Sequence, residues 1–115
     1  MKKQVRKSKE QEQQLKDYST VANFLMSGDT EEVRQFANAL NWGKFTNDNC
    51  KFMSIEFIRK YKDFIEWGCL CHNRELSEDF IREFADYVSW YFISLSQKIS
   101  DEFRAEFKEY LKGIE

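Results

Sequence analysis

Proline is absent from this 115-residue chain, and glycine occurs only four times. Tight turns draw heavily on both residues, so a sheet-rich fold with many reversals is excluded. Histidine occurs once and cysteine three times. An odd cysteine count cannot close into a disulfide framework, and a reducing cytoplasm is the expected setting. No apolar run approaches the ~18 residues that a membrane-spanning helix requires. No apolar stretch follows the basic N-terminus either, so no secretory signal is expected.

Bulk is plentiful. Eleven Phe, five Tyr and three Trp make the chain 17% aromatic, beside 33% charged residues. Disordered chains lack such aromatic content. A single all-α domain follows from this balance.

The chain also repeats itself. Met53-Ser54, Leu76-Ser77 and Ile99-Ser100 recur at one fixed interval, that from position 54 to 77 and again from 77 to 100. Phe57, Phe80 and Phe103 keep step, as do Tyr61, Phe84 and Phe107, then Phe64, Tyr87 and Tyr110. Ile65, Val88 and Leu111 follow, and Trp67 matches Trp90. A divergent upstream copy places Trp42 before Trp67 at a slightly longer interval, with Asp29 in the slot of Ser54. The extra length falls in the polar stretch Asn47-Asp48-Asn49. The reading is of units 29–52, 53–75, 76–98 and a partial 99–115.

Each unit has its own local logic. Ser54, Ser77 and Ser100 are good N-caps, and the acids after Ser77 and Ser100 suit a helix start. Phe80, Ile81, Phe84, Tyr87 and Val88 follow the i, i+3, i+4, i+7, i+8 pattern, which predicts a helix of about twelve residues. A shorter helix then follows each tryptophan. The expected fold is a short array of stacked long and short helices over residues 15–115, covered at its N-terminal end by a helix through Leu15, Tyr18, Ala22 and Leu25. Residues 1–14 form a basic, polar leader that is disordered or an uncommitted helical extension.

The segment LSEDFIREFADYVSWYFISLSQKIS at 76–100 resembles a short tandem repeat of phage and large-DNA-virus proteins. Its pattern is Leu-Ser-Glu-x-Phe-Ile, an aromatic four residues on, then Val-x-Trp and Ile-Ser. The match is close over 76–100, fair over 53–75 and 99–111, and weak over 29–52. The resemblance implies a helical array encoded by a virus or prophage, and it brings no catalytic residues. By analogy with small phage proteins, it implies an inhibitor of a host defence protein in the host cytoplasm, in the manner of anti-CRISPR proteins.

Cys69, Cys71 and His72 lie together, with Cys50 upstream, and invite a zinc reading. Their spacing is not that of a zinc knuckle, and Cys71 shares a slot with Ser94 and Thr46, a small core position. No metal or cofactor is therefore expected. Catalysis is not expected either, because the carboxylates are periodic and no Gly-rich phosphate loop or His-Glu-x-x-His motif is present. Specificity in a repeat array lies where the repeat breaks. The candidate partner contacts are accordingly Lys44, Asn47, Asp48, Asn49 and Phe52, and then Cys69, His72, Asn73 and Arg74.

Charge divides the chain. Lys2, Lys3, Arg6, Lys7 and Lys9 place five positive charges at the N-terminus, while the remainder carries −7. Two functions stay open on this reading. One is binding to a host protein or nucleoprotein complex. The other is direct nucleic-acid contact through the leader, which could equally be a solubilising terminus.

Overall fold

The computed structural model describes residues 9–114, the side chain of Gln11 excepted. The leader residues Lys2, Lys3, Arg6 and Lys7 lie outside this range. The described residues are all-helical, with nine helices and no strands. The first, α1, runs Lys9–Leu25. Residues 9–14 thus belong to a helix.

Two kinds of short helix then alternate. After α2 (Glu31–Ala39) and α3 (Trp42–Asn49) come α4 (Ile55–Lys60) and α5 (Trp67–Asn73). Next are α6 (Glu78–Glu83), α7 (Trp90–Ser96), α8 (Asp101–Glu106) and α9 (Lys108–Leu111). Ser54, Ser77 and Ser100 each accept a hydrogen bond from the amide of the phenylalanine three residues on, at 3.0–3.1 Å. In the first unit that place is taken by Thr30, which accepts from the Val33 amide, and not by Asp29. Counted from its cap, this unit reaches its tryptophan one residue sooner than the others.

The expected twelve-residue helix is broken. At Tyr61, Phe84 and Phe107 the backbone leaves the α region for φ −109 to −106° and ψ 25–29°. One further turn follows, closed by the amides of Ile65, Val88 and Leu111 on the carbonyls of those same three aromatics. Helical spacing therefore survives in the side chains while the hydrogen-bond ladder is interrupted. The tryptophans consequently open the second helix of each pair and do not close the first. Each indole N–H donates to the carbonyl five residues back: Trp42 to Ala37, Trp67 to Lys62 and Trp90 to Ala85, at 2.7–3.0 Å.

Packing is flat. The principal extents are 50 × 42 × 20 Å, so the thickness is that of about two helices. The helices α3, α5 and α7 stack side by side, and α1 lies against α2 and α3. Phe57, Ile58, Leu70, Ile81, Ile93 and Phe103 are fully enclosed between the layers. Tyr18 of α1 stacks on Phe45 at 5.7 Å and meets Phe57 edge-on at 6.1 Å. The last carbonyl of α1, on Leu25, accepts from both the Tyr61 hydroxyl and Lys60 Nζ, which ties α1 to α4.

Ion pairs cross from unit to unit. Arg59 makes a bidentate bond to Glu83, and Arg82 pairs with Glu106 at 3.0 Å. Glu78 does more than favour its own helix start, since it also accepts from the Ser100 amide at 2.7 Å.

Candidate functional site

The C-terminal ends of α3, α5 and α7 come out along one edge of the slab. There, each helix hands the chain to the next unit, and the handover needs polar groups to satisfy the last carbonyls. Arg74 supplies them for the first junction, donating to the Cys50 and Met53 carbonyls at 3.0 and 2.6 Å. Gln97 does the same one unit on. Its amide donates to the Cys71 and Arg74 carbonyls at 2.8 and 2.7 Å and accepts from the Leu76 amide at 2.9 Å.

Two open grooves lie along this edge. The first, about 470 Å³, is lined by Gln14, Asn47, Asp48, Cys50, Lys51, Phe52 and Asn73. The second, about 310 Å³, is lined by His72, Asn73, Arg74, Glu75, Leu76, Ser96, Gln97 and Lys98. Asn73 belongs to both, so the two grooves adjoin.

The residues singled out from the broken repeat are distributed unevenly around these grooves. Asn47, Asp48, Phe52 and Asn73 line the first, and His72, Asn73 and Arg74 the second. Lys44 is exposed and pairs with Asp48 at 2.8 Å, one helical turn on. Cys69 is half-buried, and its carbonyl accepts from the Asn73 amide at 3.0 Å. Asn49 is turned inward, its amide donating to the Phe45 carbonyl at 3.0 Å, so it serves the fold. Arg74 is likewise committed to carbonyls of its own chain. Phe52 is partly buried and lies 5.9 Å from Tyr18. Of the basic leader, only Lys9 is described, at the first position of α1.

Glu75, Leu76, Ser96, Gln97 and Lys98 of the second groove were not anticipated as contacts, nor were three residues of the first. Gln14 comes from α1 and donates to the Asp48 carbonyl. Lys51 and Cys50 sit in the connection after α3. Lys51 could have been added, being adjacent to Phe52. The stripe Leu15, Tyr18, Ala22 and Leu25 marks the inward face of α1, but nothing in the local sequence says that Gln14, at its border, meets the end of α3. A separate groove of about 430 Å³, lined by Asp29, Val33, Arg34, Ala37, Asn38, Lys60, Tyr61 and Phe64, was also missed.

The electrostatics of the edge disfavour thiol chemistry. Burial pushes the Cys50 thiol up, against the opposing pull of Lys51 and Arg74. Burial also raises Cys69, and carries Cys71 to about 11. A raised thiol carries less of the thiolate that acts as nucleophile, so none of the three is activated for nucleophilic attack. His72 is exposed, with Nδ1 3.0 Å from Ser96 Oγ and its ring 5.1 Å from Phe92. No group of three or more His, Cys, Asp or Glu side chains gathers as a metal site among the described residues. No described helix is long and apolar enough to cross a membrane. What the edge offers is amide, ammonium, carboxylate and aromatic groups on a concave surface.

No known family, no curated protein and no solved structure matches this chain.

Proposed function

We propose that this chain is a non-catalytic binding protein that grips another protein along the edge formed by the ends of α3 and α5. The supporting observation is the gathering of Asn47, Asp48, Phe52 and Asn73 around one groove, although Asn73 belongs to the unit after the one that holds the other three. Hydrogen-bonding groups of both kinds beside a half-buried aromatic are the usual make-up of an interface. The resemblance of 76–100 to a viral repeat supports a host defence protein as the target and the host cytoplasm as the place.

The test is co-purification from the host cell with wild type and with the double variant Asn47→Arg, Asn73→Arg. Both positions are exposed, and a thermal melt matching that of wild type shows that the variant keeps the fold. The reading predicts a protein captured by wild type and lost from the variant, and reconstituted from purified components. Equal capture by both would refute the edge. The separate charge of the leader supports nucleic-acid binding as the competing reading. Wild-type affinity for DNA or RNA that falls steeply with salt and vanishes when residues 2–9 are removed would favour that instead.

A further inference from the structure

Among the described residues the stack of α3, α5 and α7 ends on α7, and the contact between α5 and α7 shows what such a helix face meets within the stack. On α5, Gly68 faces the Phe92 ring, which lies 3.4 Å from where a Cβ at Gly68 would stand. One turn later His72 packs on the same ring and bonds Ser96. Gly68 and His72 are thus the α5 face towards α7. One repeat further along the chain, the same two slots are filled by Tyr91 and Leu95, which form the corresponding face of α7. They are the two most exposed large hydrophobic residues described, at 59% and 64%. Not one of the seven residues of α7 is charged, in a chain where a third of residues are.

The opposite end of the stack has a different character. The residues of α3 that correspond to Phe92 and Ser96 are Lys44 and Asp48, which form an exposed ion pair. Adding copies head to tail would press Tyr91 and Leu95 onto that pair and strip it of water without replacing its hydrogen bonds. Turning the second copy so that α7 meets α7 covers apolar surface with apolar surface and buries no charge from either helix. Such a pairing is isologous and closes at two chains.

We propose that two copies of this chain associate through the outer face of α7, with Tyr91 and Leu95 of one copy against those of the other. Sedimentation equilibrium across the micromolar to submillimolar range tests it. Wild type should move from one chain mass to two, and stop there. Leu95→Glu and Leu95→Lys should each stay at one chain mass with unchanged thermal melts, because position 95 is exposed. An equimolar mixture of the two variants should recover the doubled mass, since each glutamate then meets a lysine. A wild type that remains at one chain mass throughout overturns the proposal. So does growth past two chains, and so does a mixture that fails to pair.

Discussion

Tyr18 is where a single side chain carries most information about the packing. Enclosed by Phe45, Phe52 and Phe57, its phenol is pushed up by burial to about 12 from 10.0. A raised value in the folded state means that stability is intact below 10 and is lost as pH rises towards 12. The loss is on the order of 2 kcal/mol. Urea titrations between pH 9 and 12 should show this decline in wild type and a shallower one in Tyr18→Phe; equal slopes would contradict the enclosure. Tryptophans give a second test. Trp67 is buried, so Trp67→Ala should cost about 3–5 kcal/mol, and the half-buried Trp90 somewhat less. Gly113, in the same slot of the last unit, has φ +86°, so Gly113→Ala should cost roughly 1 kcal/mol through strain and not be neutral. Thermal melts of the three variants decide the order. The burial of these aromatics was legible because they recur at fixed slots on the apolar side of each helical unit. Their indole bonds to carbonyls five residues back were not, since those depend on where the preceding helix breaks.

At the scale of the element, the caps and the junctions behave differently. Ser54, Ser77 and Ser100 could be identified as caps because their hydrogen bonds are local, three residues apart. Gln97 could not be so placed: its partners at Cys71, Arg74 and Leu76 are 21 to 26 residues away. The same holds for the broken helix. Apolar spacing reports which side chains face the core, and a break that keeps them facing inward leaves the spacing intact. The two kinds of contact should also differ in weight. Ser77→Ala should cost about 1 kcal/mol, the usual effect of losing a cap. Gln97→Leu keeps the volume but orphans a buried amide and two carbonyls, so it should cost roughly 2–4 kcal/mol. Chemical denaturation of the pair checks the ranking. A Gln97→Leu variant as stable as Ser77→Ala would remove the junction from the forces holding the units together.

For the whole molecule, the flat stack turns a sequence of short helices into two edges and two ends. The ladder from Arg59 to Glu83 and from Arg82 to Glu106 runs over an exposed surface, where such pairs contribute little. Arg59 holds the Glu83 carboxyl below its ordinary value, so what the pair contributes is present at neutral pH and fades in acid. Stability therefore rests mainly on the aromatic core and on the junctions of Arg74 and Gln97. The edge was half legible: a break in the repeat pointed to Asn47, Asp48, Phe52 and Asn73, but equally to Asn49 and Arg74, which the chain keeps for itself. Composition could not separate them, because an asparagine turned inward and one turned towards solvent look alike in sequence. Amide hydrogen exchange, with and without a protein captured by wild type, tests the proposed edge most directly. Binding along the edge predicts slowed exchange over residues 46–52 and 72–75, with α6 and α8 unchanged. Slowing confined to residues 2–9, with 46–52 and 72–75 exchanging as in the free chain, would contradict it.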